Sequence, residues 1–595
     1  MRTLIVAALV SPLLQAQTEV EVRSAITRAL PLLERSAATF VAKRACISCH
    51  HNLLSVLTFH LARERGFNIE PAVLSAVEEK TFQGLHNPAA LDDAIQATTL
   101  NDPTPNESYL LMAAHAAGLA PDLITAVYAR RLLSWQREGH WVTSDFRPPH
   151  SSSVFTATAT AVRAIQLYLP EELRAQGEAA MVRTRQWLLA TPPASTEDAS
   201  FRLLGLVWAG APAEQIRAAQ HDLLKLQEPL GGWPQLPDYQ PDVYSTGEAL
   251  FALHQAGTPA HDLNWRKGLR FLIRTQAADG SWRVRTRMLS PAPVSPKYFT
   301  TGFPYQKDEY LSYAGSCWAV MALLSALPEP RVRPEQLPPI PSDARSWIRT
   351  ALFGTPQQLT ALVEGGLDSN TKTQNGTTLL MMAAPDATKV RLLLARGADA
   401  KVRAASGQDA LTIAAAYRGT AASLASLLDA GAPVTAPPGT RVRNPPLVLA
   451  AMTGDAENVR LLLSRGADPS GSSANTPLAA AVTFGYADIA QTLIAAGAAA
   501  TLREANGINL LHWAVITNHP AMVPVLARAG AHVNAVDEFG FTPLMYAATI
   551  DFGGTGSIAA LREAGADPGI RNQGGRTARE QARHLGHARL EARLR

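Results

Sequence analysis

A glycine followed by Ala or Leu recurs through the last part of the chain, at Gly366, Gly397, Gly431, Gly466, Gly497, Gly530 and Gly565. The intervals are 31, 34, 35, 31, 33 and 35 residues. A period of that length is one supersecondary unit, too small to bury its own apolar face. Such units must stack, so this stretch folds as a linear array stabilised between neighbours. The order within each period is constant. An Asn-Gly turn, as at Asn375-Gly376 and Asn506-Gly507, comes ahead of a Thr-Pro-Leu type element such as Thr476-Pro477-Leu478 or Thr542-Pro543-Leu544. Ala-rich segments follow, then a second helix such as Val459 to Leu463, whose closing glycine supplies a left-handed cap.

From about residue 343 to the end, this pattern resembles ankyrin repeats. The resemblance implies paired helices that approach through alanine and bury leucine against the next repeat. It also implies a protein partner bound through the array, and no catalytic chemistry of the array's own. Four features depart from the pattern. The unit from Trp347 to Gly366 lacks the turn signature and reads as a cap. Pro433 to Pro446 lengthens one finger, and Asp551 to Gly556 is a Gly-rich insertion. The basic, Ala-rich tail from Thr577 to Arg595 reads as the terminal cap.

Residues 20–328 repeat less visibly. Lys267-Gly268, Phe271-Leu272, Gln276 and Gly280-Ser281-Trp282 form one full motif. Leu226-Gln227 with Gly231-Gly232-Trp233, and Trp135-Gln136 with Gly139-His140-Trp141, form partial ones. These resemble the QW motif of terpenoid cyclases and protein prenyltransferases. Trp141 and Trp233 are 92 residues apart, two intervals of 46, with a degenerate unit around Trp187 to Pro193 between them. Counting back 92 from Trp141 lands on Cys49. Helix–turn–helix units then turn near 49, 95, 141, 190, 233 and 282, and in the first unit Val22 to Arg35 and Leu53 to Arg65 are the two helices. The expected fold is all-α: a six-unit α/α toroid followed by an ankyrin solenoid with short finger turns. The motif tryptophans should pack over turns with their indole N–H groups paired. The cyclase D-x-D-D acid, the prenyltransferase zinc spacing around Asp308 and Cys317, and the G-C-G-E-Q thioester segment are all absent. The resemblance therefore implies the fold and none of those activities.

The first-unit turn reads Cys46-Ile47-Ser48-Cys49-His50, a C-x-x-C-H pattern for covalent c-type haem attachment. In that reading Cys46 and Cys49 carry haem c, and His50 is the proximal ligand of the haem iron. His60, Met112 and His115 are candidates for the distal position; His51 is poorly placed to reach the opposite face. A Cys46–Cys49 disulfide, a metal site using His50 and His51, and a plain turn remain open. The chain has three cysteines, and Cys317 lies in an apolar run as expected of a buried thiol.

Arg2 and the apolar stretch Thr3 to Leu14 read as a signal peptide, residues 1–16, which implies a periplasmic or secreted protein. No later run reaches the roughly 18 apolar residues of a membrane span. The balance of 54 basic and 50 acidic residues, net +4, does not point to nucleic acid. The domains are then a toroid at 20–328, a Pro-rich linker at 329–342 and the array at 343–595. Second helices of the toroid units should line its centre. Their openings carry Asp102, Glu107, His150, Asp242, Tyr244, Glu248, Asp308 and Tyr310, which read either as helix caps and first-turn acids or as a polar cavity mouth. Three functions follow: a haem-dependent redox or sensing component docked through the array, a non-enzymatic scaffold with a Cys46–Cys49 disulfide, or a divergent toroid enzyme.

Overall fold

The computed structural model of the chain describes residues 2–44, 47–98, 100, 102–150, 152–259, 261–288, 301–328, 346–435, 444–470 and 476–595; the side chains of 2–18, Cys49 and Ser346 lie outside that description. The fold is helical, with one two-stranded ribbon among the described residues, pairing Trp233–Pro234 with Pro241–Asp242.

Among the described residues thirteen α-helices precede residue 328: α1 (Arg2–Lys43), α2 (Leu54–Glu64), α3 (Pro71–His86), α4 (Ala90–Gln96), α5 (Pro103–Ala116), α6 (Leu123–Ser134), α7 (Val154–Tyr168), α8 (Arg174–Ala190), α9 (Thr196–Trp208), α10 (Ala213–Leu224), α11 (Val243–Gln255), α12 (Leu263–Thr275) and α13 (Glu309–Leu324). Helices α2, α5, α7, α9, α11 and α13 each pack on the next, and α13 packs back on α2. This closes a ring of six inner helices. The others form an outer layer, and α4 is an extra short helix in the second unit. Burial follows position. Every residue of α13 is buried, as expected of a helix apolar on all sides. Outer helix α12 buries one stripe, Trp265, Gly268, Leu269, Phe271 and Leu272.

The joints between units are built alike. Trp141, Trp233 and Trp282 are buried and donate their indole N–H to the carbonyls of Leu132, Leu223 and Leu272. Each glutamine ahead of them donates across to the next outer helix: Gln136 to Ala180 O and Gln227 to Asn264 O. Gln276 makes the same bond to Ala25 O of α1, 2.9 Å, so the last joint closes on the first helix. The glycine of each turn has positive φ, and a Cβ there would collide with the backbone carbonyl of Arg183, Lys267 or Arg28.

Paired helices of the array run from Ser346 to Arg593. Capping residues start its inner helices: Thr378, Asp409, Thr476, Asn509, Thr542 and Thr577 each accept a backbone N–H in the first turn. The unit at Trp347 to Gly366 is itself a helix pair, Ser346–Phe353 and Pro356–Glu364.

The array lies along the ring through its finger turns and the ends of its inner helices. Asp92 of α4 accepts from Thr373 Oγ1 (2.6 Å), Asn375 Nδ2 (2.8 Å) and Thr377 Oγ1. Trp135 donates its indole N–H to Ala416 O, and Arg137 lies over the Tyr486 ring. Near the far end, the Gly-rich insertion is engaged. Tyr239 donates to Asp551 Oδ2, Arg287 Nη1 donates to Asp551 O, and Met288 bridges Ile550. The long finger contributes Asn444, which donates to Leu100 O.

If the ring closes at Gly280, Gly280→Ala should cost clearly more than Gly210→Ala. Both positions have positive φ, worth roughly 1–2 kcal/mol against a side chain. Gly210 has open space around it, whereas at Gly280 the Cβ also strikes the Arg28 backbone. Urea midpoints of the two variants measure the difference; equal losses would mean that the ring is open at that joint.

Candidate functional site at the ring centre

Between α1 and α2 the chain makes a single π-helical turn, Cys49–Leu53. Such turns widen a helix start and re-aim its side chains. Ser48 and Asn52 hold it: Ser48 Oγ accepts the His51 N–H (3.0 Å), and Asn52 Oδ1 accepts the Ser48 N–H (2.9 Å). The turn packs on α1, α2, α3, α5 and α13, so it enters the ring. Cys46 lies outside the described residues, as does the Cys49 side chain.

His50 and His51 are both buried. The His51 ring is stacked between Phe40 (4.8 Å between centroids) and Tyr313 (3.9 Å), and Ser36 Oγ is 3.2 Å from its Nε2. Burial pushes it down to about 3. Held this way, it acts as a packing element. His50 meets Tyr310 at 5.7 Å and His150 at 6.1 Å between ring centroids, with planes inclined by 64° and 89°. Burial, then the neighbouring His51, His150 and Arg147, hold it well below the usual histidine range. His150 precedes α7. Its Nδ1 is 3.0 Å from the Tyr244 hydroxyl of α11, and its Nε2 is buried with no hydrogen-bond partner among the described residues. Burial pushes it down to about 3, with Arg147 adding to the effect. Two neutral imidazoles from opposite parts of the sequence therefore meet where the starts of α2, α7, α11 and α13 come together.

The residues singled out for the distal position lie elsewhere. His60 is paired with Glu78 of α3 (2.5 Å). Met112 is half-buried and His115 exposed, both toward the end of α5, about 13–18 Å along the axis from its start.

The acidic openings divide by what holds them. Asp102 caps α5, accepting from Thr104 N and from Ser144 Oγ, and burial lifts it to about 6 against those bonds. Asp242 caps α11 through Ser245 N and accepts from Gln235, and burial lifts it to about 6. Glu107 is ion-paired with Arg131 of α6, and Asp308 with Arg283 (3.0 Å). Glu248 differs: it is buried, caps no helix and has no ion pair among the described residues, with the Tyr244 hydroxyl as a polar neighbour. Burial, then the Glu197 charge, push it well above the carboxylate range. Glu197, in the first turn of α9, accepts from Thr156 Oγ1 (2.5 Å) and is lifted to about 8, mainly by burial. Glu197 does not stand out in the sequence, where Thr196-Glu197-Asp198 looks like an ordinary acidic helix start. Cys317 is buried, and burial pushes its thiol up to about 12, leaving it unreactive.

Residues 434–504 and 494–572 match the family model described as ankyrin repeats (3 copies). The chain is also similar to SH3 and multiple ankyrin repeat domains protein 1 of Homo sapiens, 34% identical over 101 residues, which is 16% of this chain and 5% of that protein. The Mus musculus and Rattus norvegicus proteins of that name match to the same extent. The chain thus spans about a twentieth of the length of these curated relatives. Its C-terminal part carries ankyrin repeats, a scaffold that binds protein. No helix among the described residues is long and apolar enough to cross a membrane.

Glu197 gives the fold a signed pH dependence. Its folded pKa, about 8, lies above the ordinary value of 4.5, so the folded chain holds the proton more tightly and stability falls as pH rises between them. Glu197→Gln should remove that loss, gaining on the wild type by more at pH 8 than at pH 5. Urea unfolding at both pH values checks it; an offset equal at both would place Glu197 in water.

Proposed function

We propose that the chain is an exported haem-bearing redox or sensing protein, built on a six-unit α/α toroid, whose ankyrin array binds protein. The observation that carries this reading is the meeting of His50, from the C-x-x-C-H motif, with His150 at the ring centre. The residues present fit the group. Metal ligation needs neutral imidazoles, and burial keeps both neutral at physiological pH. The orphaned Nε2 of His150 is a donor atom lacking a partner, and the walls beside His50 are the rings of Phe40 and Tyr310.

In this reading Cys46 and Cys49 would hold the haem covalently and His50 would ligate its iron. When bound, the haem supplies one-electron chemistry or a site for a small ligand at iron. The chain's own residues do the rest. Phe40, Tyr310 and Tyr313 exclude water, which governs the dielectric around such a centre. The Tyr244 hydroxyl fixes the orientation of His150. Export through the leader at residues 1–16 agrees with haem attachment outside the cytoplasm. Ankyrin contacts with the ring hold the array against it, and an external protein would bind the remaining surface of the array.

A second reading, a divergent toroid enzyme, is favoured by the Glu197–Glu248 pair. Two buried carboxyls, both raised mainly by burial and Glu248 further by the Glu197 charge, are an arrangement used for general acid–base work.

The test is expression with the leader in a host competent for c-type haem maturation, followed by haem staining of a denaturing gel. A stained band at the full-length mass is expected, and Cys46→Ser with Cys49→Ser should abolish it. A colourless wild-type band would remove the haem reading and leave the disulfide or the acid pair.

A further inference from the structure

We infer that His150 is the second axial ligand of the iron, opposite His50; this rests on the haem reading above. Among the described residues, His150 is a histidine at the ring centre whose imidazole is anchored at one nitrogen and unused at the other. The Tyr244 hydroxyl holds Nδ1 at 3.0 Å, and Nε2 is buried with nothing to bond. A buried polar atom without a partner costs stability and calls for an explanation such as a missing ion or ligand. Anchoring a ligand histidine through its other nitrogen is the arrangement by which proteins fix tautomer and ring orientation at metals.

The spacing agrees. A metal–imidazole bond is about 2 Å, and each ring centre lies about 1 Å behind its nitrogen. Two imidazoles on one metal therefore sit about 6 Å apart between centres. His50 and His150 are 6.1 Å apart with planes at 89°. Axial rings are free to rotate about the ligand axis, so perpendicular planes are compatible with the arrangement. The competing side chains are otherwise occupied or distant. His51 is clamped between Phe40 and Tyr313, and His60 is paired with Glu78. Met112 and His115 sit toward the other end of α5. A six-coordinate iron with two histidines favours electron transfer over ligand binding at a vacant position, so the inference narrows the proposed function to its redox form.

The experiment uses the full-length matured protein, with optical and electron paramagnetic resonance spectra of the ferric form. Wild type should be low-spin. His150→Ala should keep its covalent haem on a denaturing gel yet become high-spin, and added imidazole should restore the low-spin spectrum. His60→Ala and His115→Ala should leave the spectra unchanged. Should His150→Ala fail to fold, His150→Met, which keeps an apolar side chain able to ligate, should replace the bis-imidazole spectrum with the thioether–iron charge-transfer band. A high-spin wild type overturns the inference, as does a low-spin His150→Ala. An absence of covalent haem in wild type instead fells the reading on which it rests.

Discussion

The structure depends on one closure, the docking of the 276–282 turn on α1. Gln276 reaches Ala25 O, and Gly280 lets its backbone lie against Arg28 with no room for a Cβ. Helices separated by some 250 residues are thereby held as neighbours, and the ring has no open end. Everything at the centre follows from that fixed position of α1. The turn leaving α1 is the one that carries C-x-x-C-H, and closing the ring brings it against α13 and α5. An open superhelix of the same units would leave His50 at a terminus with no His150 or Tyr310 beside it.

The array supplies the second constraint. Ankyrin scaffolds commonly bind partners on the fingers and the concave face. Here part of that surface is used within the chain. Asp92 satisfies the hydroxyls and amide of one finger, and Trp135 reaches the end of a neighbouring inner helix. Asp551 takes up Tyr239 and Arg287 from the ring. Arg287 also lies close enough to the Glu197–Glu248 pair for its charge to oppose their raised pKa values.

Much of this was legible in the sequence because it repeats. Glycine spacing gave the array, and Trp141, Trp233 and Trp282 gave the units, since a backbone joint made many times leaves many copies of its signature. Counting back to Cys49 located the turn that enters the ring. What single residues do was harder to read. Asp102 and Asp242 cap helices while Glu248 caps none, yet all three appear in the sequence as acids near a helix start. His150 is a lone histidine after Pro148-Pro149, and its pairing with His50 exists only through closure of the ring. The docking of the array on the ring left no periodic trace either; Asp92, which takes up one finger, is a single buried acceptor in α4.

The most direct test of the central claim is anomalous diffraction at the iron edge from crystals of the matured protein. The account predicts one iron peak between the Nε2 atoms of His50 and His150, with density continuous to the sulfurs of Cys46 and Cys49. No iron peak, together with disulfide density joining Cys46 to Cys49, would contradict it and leave the ring a protein-binding scaffold or an acid–base site.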